Sequence, residues 1–160
     1  MKTIIVTGSV GTGKTTVAKV ISRKLNYKYI DVNKTILDND ISEGYDKKRK
    51  TKIIDIKKLN TYLINEIKKS KNNSGIIIDS HLSHYLPKKY VDLCIVTKCN
   101  LKILEKRLKK RRYSKDKIRE NLDAEIFDIC LEEAKQKKHK IKIIDTSNKL
   151  DINKIIEKLK

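Results

Sequence analysis

The sequence predicts an α/β domain, a parallel sheet with helices packed on both faces. Short, nearly continuous apolar runs rich in Ile and Val, at residues 2–7, 75–79 and 91–97, have the composition of strands covered on both sides. Between them lie segments whose apolar residues recur at helical spacing, the alternation that gives a parallel sheet its crossover helices. A glycine-rich loop follows the first run directly, and ligands of such sheets sit beyond the carboxyl ends of the strands. The 160 residues suffice for one domain with a core of its own and are too few for two.

The first strand is β-branched and ends at Gly8; a helix over residues 15–25 follows the loop, and a short second strand is expected at 29–32. Residues 33–54 are polar, contain Gly44 and lack a sustained period, which predicts a mobile excursion. Asp55 is placed to cap a helix in which Leu59, Tyr62, Leu63 and Ile67 share one face, and Gly75 opens the next strand. Asn100 caps a helix over residues 101–110. A basic break at 111–115 precedes one long helix with Ile118, Leu122, Ile126 and Ile129 on a single face. A last strand at 141–145 and a closing helix over 152–159 complete the chain.

Composition narrows the partners. Lys and Arg number 39 against 20 Asp and Glu, a net charge of +19 that attracts polyanions, although most single lysines on helix faces are simply solvated. Cys94, Cys99 and Cys130 are odd in number and lack C-x-x-C spacing, so they are expected to be reduced, buried small residues. No run approaches the roughly 20 apolar residues of a membrane helix. A cytoplasmic protein with no membrane partner is the expectation.

Gly8-Ser9-Val10-Gly11-Thr12-Gly13-Lys14-Thr15 fits G-x-x-x-x-G-K-[ST] between a strand and a helix, the context that makes a P-loop NTPase of the α/β domain. Gly8, Gly11 and Gly13 let backbone N–H groups turn inward around phosphate oxygens, and the helix N-terminus adds partial positive charge. Lys14 then bridges the β- and γ-phosphates of ATP, the Thr15 hydroxyl ligates Mg²⁺, and Thr16 reaches the α-phosphate. The run Ile76-Ile77-Ile78 delivers Asp79 to a strand end, where a carboxylate holds Mg²⁺ or its water; elsewhere such an Asp would be a turn cap. His81, two residues on, is placed to orient a water or a phosphate acceptor. His84 is a weaker candidate, and His139, among lysines, is expected to be solvated.

Taken together, GSVGTGKTT, EGYD at residues 43–46, IIIDSH at 76–81 and the basic segment from Arg107 to Ala134 resemble the adenylate kinase isoenzyme 6 family, also called the coilin-interacting nuclear ATPase family. The resemblance spans nearly the whole chain. It implies a five-stranded sheet of order 2-3-1-4-5 flanked by helices, one P-loop kinase domain over 1–160, an excursion at 31–54 that binds a nucleoside monophosphate (NMP), and a short lid at 110–120. It implies ATP contacts at Gly11, Gly13, Lys14, Thr15 and Thr16, a lid arginine at Arg111, and an Asp-x-His pair at Asp79 and His81. Residues 146–149 fall where such kinases place the adenine. Ten Lys or Arg stand against three Asp or Glu between residues 101 and 120, which suits a lid that closes on phosphates; Arg107 is second to Arg111 as its arginine, with a helix-face ion pair as its other reading.

The sequence departs from the family pattern in three places. Ser9 and Val10 replace Thr-Pro in the loop, Arg112 replaces the Gly after the lid arginine, and the start of the NMP helix has Lys34 and Leu37 without the arginine that holds the acceptor phosphate. Lys34 or Arg49 is the candidate substitute. The function implied is an NMP kinase with ATPase activity. The family resemblance adds a role in small ribosomal subunit maturation, with 16S rRNA processing and transient binding of ribosomal protein S-eleven in an rRNA-rich pre-ribosome. An assembly ATPase with weak kinase activity and a small-molecule P-loop kinase are the alternatives; a pure binding module has little use for Lys14, Thr15 and Asp79 together.

Overall fold

In the computed structural model, which describes residues 1–157 and 159, strand β1 (Lys2–Thr7) runs through the middle of a five-stranded parallel sheet. β2 (Lys28–Asp31) and β5 (Gly75–Asp79) lie on one side of it, and β6 (Leu93–Lys98) and β7 (Ile141–Asp145) on the other. Counted within this sheet, the order is 2-3-1-4-5, as expected. Register brings the functional ends together: Val6 pairs with Asp79, Asp31 also pairs with Asp79, and Thr7 pairs with Val96.

Alternation along β1 divides the core. Ile4 and Val6 pack with Ile77, Ile95 and Ile144 against Val17, Ala18 and Ile21 of α1 (Lys14–Leu25) and Ile155 of α7 (Ile152–Glu157). Ile5 faces the opposite side with Ile76, Ile78 and Val96, covered by Leu59, Leu63 and Ile67 of α3 (Ile56–Lys69) and by Leu131 and Ala134 of α6 (Ile129–Gln136). Each fully buried Ile or Leu contributes about 1.5–3 kcal/mol. A third cluster, Cys99, Leu104, Leu108 and Ile118, joins α4 (Leu101–Lys110) to α5 (Lys115–Ile126). The caps are as predicted: Asp55 accepts from the Lys58 N–H at 2.9 Å, and Asn100 from the Lys102 N–H at 3.0 Å.

Two segments differ from expectation. Residues 33–54 carry regular structure, α2 (Val32–Asp38) and an antiparallel hairpin of β3 (Ser42–Asp46) and β4 (Thr51–Ile54). The helix is short and opened by the Asp31 side chain, which accepts from the N–H groups of Asn33 and Lys34. The hairpin stands apart from the main sheet with Tyr45 and Ile53 exposed, so neither strand shows the apolar alternation that a half-buried strand imprints on its sequence. The long helix expected after residue 115 is two helices. Asp128 takes a left-handed φ of 53° between α5 and α6, and Lys98 Nζ donates to the Glu125 carbonyl at 3.1 Å while pairing with the Glu125 and Asp128 carboxylates. A lysine so placed terminates a helix by taking its free carbonyls. Ile126 and Ile129 consequently point outward with Phe127. Of the closing helix, residues 152–157 are helical; Lys158, within the expected span, lies outside the described residues.

Candidate active site at the carboxyl end of the sheet

The loop after β1 is shaped by its glycines and by close packing on β6. Gly8 has φ 142°, and a Cβ there would lie 2.5 Å from the Thr97 hydroxyl oxygen, so neither conformation nor space admits a side chain. Gly13, at φ 84°, turns the chain into α1 and presents the first N–H groups of that helix to the cleft. The Thr12 hydroxyl donates to the Ser9 carbonyl at 2.7 Å and lies 2.7 Å from that of Thr97. Lys14 Nζ curls over its own loop and donates to the Gly8 and Ser9 carbonyls at 3.0 and 2.8 Å. Burial pushes this ammonium down to about 8.

Asp79 ends β5 with 5% of its surface exposed. Its Oδ2 accepts from the Tyr29 hydroxyl at 2.9 Å, and among the described residues its Oδ1 has no protein donor. Burial, then the Asp79 carboxylate, raises the Tyr29 phenol well above its ordinary value, so it stays a donor. The Asp79 carboxylate and the exposed Thr15 hydroxyl, which line the same cleft, are hard oxygen donors, a set that fits Mg²⁺ completed by phosphates and water.

Lys14, Thr15, Asp79, His81 and Arg111 line one cleft of about 470 Å³, whose far wall carries Asn33, Arg49 and Thr51. His81 is exposed at its mouth, and surrounding protein followed by the Lys14 charge pushes the imidazole down to about 4. A second cavity of about 610 Å³ runs from Gly11, Gly13 and Thr16 past Arg107 and Arg111 to Thr146, Asn148 and Leu150. A third, about 330 Å³, lies beneath the hairpin between Ile36, Leu37, Tyr45 and Ile54, and His81 lines it as well as the first.

A model of the AAA domain family matches residues 4–128. The chain is 37% identical over 156 residues to the "Putative adenylate kinase" of Methanocaldococcus jannaschii, covering 98% of this chain and 82% of that protein. It is 34% identical over 133 residues to the adenylate kinase isoenzyme 6 homolog of Caenorhabditis elegans, covering 83% and 72%. The chain belongs to the adenylate kinase isoenzyme 6 family. Among solved structures, deoxyadenosine kinase from M. mycoides with bound dATP is similar over 99% of both chains with a TM-score of 0.60 at 20% identity. Shikimate kinase from Bacteroides thetaiotaomicron covers 99% of this chain and 96% of its own, with a TM-score of 0.52 at 16% identity. At these identities the likeness is one of fold.

Against the family pattern, Lys14, Thr15, Thr16, Asp79, His81 and Arg111 converge on the first cleft together with Arg49. Lys34 does not; it lines a separate pocket with Tyr29, Asp31, Asp38 and Glu66, and Asn33 stands in the cleft in its place. Among the described residues, Arg107 neither lines the first cleft nor makes a helix-face ion pair. It donates to the Gly11 carbonyl at 3.3 Å, the Thr146 hydroxyl at 3.1 Å and the Thr146 carbonyl at 2.7 Å, clamping the P-loop to the loop after β7.

His84 is a buried structural residue, 2.8 Å from the Thr7 hydroxyl and 2.8 Å from the Glu133 carboxylate. His139, expected to be solvated, is buried with Nε2 2.9 Å from the His84 carbonyl; the turn after α6 folds it inward while its lysine neighbours stay outside. The three cysteines are free, with Cys94 and Cys99 buried and Cys130 only half-buried. Sequence reasoning missed Tyr29, which β-pairing carries to within reach of Asp79 from the adjacent strand, and Asn33. The order 2-3-1 contained the signal for Tyr29, since it makes the second and third strands neighbours.

Proposed function

We propose that this protein is an NMP kinase that transfers the γ-phosphoryl group of ATP to AMP or another NMP. The observation that carries the reading is His81 lining both the cleft with Lys14, Asp79 and Arg111 and the pocket beneath the hairpin, so that a donor and an acceptor site meet at one side chain. The triphosphate lies along the loop, with the nucleoside in the cavity toward Thr146 and Asn148. On its arrival Lys14 exchanges the Gly8 and Ser9 carbonyls for β- and γ-phosphate oxygens. Thr15 and Asp79 are the residues that would hold Mg²⁺, which when bound neutralises charge between those phosphates.

The acceptor nucleoside packs among Ile36, Tyr45 and Ile54, and Arg49 takes its phosphate after leaving its exposed partners Glu120 and Asp46, 3.4 and 3.5 Å away. His81, neutral above about pH 5, orients the attacking oxygen by hydrogen bonding; an NMP phosphate already ionised at neutral pH needs no base. Transfer is in line, with Lys14 and Arg111 balancing charge on the moving group. Closure of residues 110–120 and of the hairpin keeps water from competing.

A second reading is favoured by one observation. The NMP helix has Lys34, in its separate pocket, and an exposed Leu37 without the arginine of the family pattern, which weakens the acceptor phosphate site and favours water. The protein would then act chiefly as an ATPase in small-subunit maturation and 16S rRNA processing, its +19 charge suited to an rRNA-rich setting and ribosomal protein S-eleven its transient partner.

Chromatographic separation of nucleotides after incubating the protein with ATP-Mg and each of AMP, CMP, UMP and GMP tests both. Stoichiometric conversion of one monophosphate to its diphosphate establishes the kinase; phosphate release indifferent to all four establishes the ATPase and overturns the first reading.

A further inference from the structure

The P-loop motif leaves its second position open, and here that residue is tied to a distant helix. Glu125, near the end of α5, is 5% exposed. Its Oε2 accepts from the Ser9 hydroxyl at 2.8 Å, and its Oε1 accepts from the Cys99 N–H and lies against Lys98 Nζ, both at 3.0 Å. A carboxylate taken out of water is retained only when donors surround it, and this one is surrounded. One of its donors is the phosphate-binding loop itself.

Ser9 passes the constraint onward. Its carbonyl accepts from Lys14 Nζ at 2.8 Å, from the Thr12 hydroxyl at 2.7 Å and from the Thr12 N–H at 3.3 Å. The peptide that Glu125 pins is therefore the one on which the P-loop lysine rests. The other end of α5 starts at Lys115, the last residue of the basic break, and sends Lys117 and Glu120 into the cleft. Ile118 anchors the helix on Leu104 and Leu108 of α4. From Lys115 to Glu125 the helix α5 spans about 15 Å.

We propose that Glu125 is a positioning residue which, through Ser9, sets the place of the Lys14 ammonium in the phosphate cradle and couples it to the helix that follows residues 110–115. The proposal rests on Lys14 holding the phosphates of ATP. Removal of the link loosens the Ser9 peptide, so Lys14 gains solvent and rests where it stabilises the transferring group less well. Misplacement of this kind affects turnover more than nucleotide binding.

The test uses S9A, which removes one hydroxyl and leaves Glu125 its Lys98 and Cys99 partners, with S9T as the rescuing variant and E125Q as the second arm. S9A is expected to lower kcat about tenfold with the KM for ATP within about threefold of wild type, and S9T to restore it. The affinity of a non-hydrolysable ATP analogue is expected to stay within about threefold of wild type in S9A, so that the loss appears in kcat and not in binding. S9A with E125Q is expected to be no slower than E125Q alone, because both break one link.

An S9A protein with unchanged kcat overturns the proposal, as do multiplicative effects in the double variant. If E125Q does not fold, the S9A and S9T pair decides alone. A wild-type protein without transfer to a monophosphate counts against the kinase reading only, since the rate of ATP hydrolysis then reads the link in the same variants.

Discussion

The two walls of the cleft are built to different standards. On the ATP side, the P-loop is braced from four elements: Thr97 of β6, Arg107 of α4, Glu125 of α5 and Thr146 after β7 all bond to it or to its side chains. On the proposed acceptor side, α2 is seven residues long, the hairpin has two strands outside the main sheet, and its tip is linked to α5 by an Arg49–Glu120 pair exposed at both ends. An exposed pair of that kind is worth about 0–1 kcal/mol. Order on the first wall is intrinsic to the fold, whereas on the second it has to come with the substrate. The division suits an enzyme whose donor is fixed and whose acceptor wall must open and close.

The sharpest way to break this contrast is at Lys14. Its replacement by Met keeps the bulk and removes the charge; kcat is expected to fall by about 10³ or more with every acceptor and with water alike. A loss confined to one acceptor would place Lys14 on the wrong wall. The pH dependence of ATP binding is a gentler probe of the same group. ATP selects the ammonium, and burial has lowered the Lys14 pKa in the free protein to about 8. Affinity is therefore expected to be flat below pH 8 and to fall about tenfold per unit above it, as binding begins to take up a proton. The stability of the free protein runs the other way: a lysine depressed by folding opposes the folded state when protonated, so that penalty is relieved as pH rises from 8 towards 10.5.

On the acceptor wall the contrast predicts a split. Arg49→Ala is expected to raise the KM for the monophosphate about tenfold and leave that for ATP unchanged, while Lys34→Ala, in its separate pocket, changes both by less than about twofold. Steady-state kinetics with each substrate varied in turn will show it, and equal effects of the two variants would remove the assignment of Arg49.

Legibility in the sequence follows the same division. The strands and the placing of Lys14, Thr15 and Asp79 were accessible because burial on both faces and a motif with fixed spacing leave strong patterns, whereas the strand order and Arg111 came with the family resemblance. The hairpin left none, since Tyr45 and Ile53 face solvent and the strands are joined by a turn in which the Arg49 N–H donates to the Asp46 carboxylate, a local bond with no periodic imprint. Glu125 was hidden for a different reason. In a long amphipathic pattern a single acid on the inner face looks like an interruption, and only the three-dimensional meeting of α5 with the P-loop, 116 residues away in sequence, gives it a partner. The break at Asp128 was hidden with it, because it depends on Lys98 from β6. Arg107 shows the limit of assigning a role from charge and position: the helix is where it was expected, but the guanidinium turns to two carbonyls and a hydroxyl.

The smallest effect predicted is a gain. Arg112, which follows the end of α4 and stands where the family pattern has glycine, takes a φ of 57°. The left-handed region costs a residue with a Cβ about 1–2 kcal/mol, and a glycine there gives back part of the gain through its freer unfolded chain. Arg112→Gly is therefore expected to stabilise the protein by about 0.5–1 kcal/mol, a rise in Tm of about 1–4 °C. Lys138, exposed after α6 at φ 59°, has the same conformation far from the cleft, and Lys138→Gly should give a gain of similar size. The pair separates stability from function. If residues 110–120 close during turnover, Arg112→Gly alters kcat as well as Tm, because it frees the pivot of that segment, and Lys138→Gly alters Tm only. Identical kinetics in the two variants would mean that the arginine strains the turn without stiffening any motion the reaction uses.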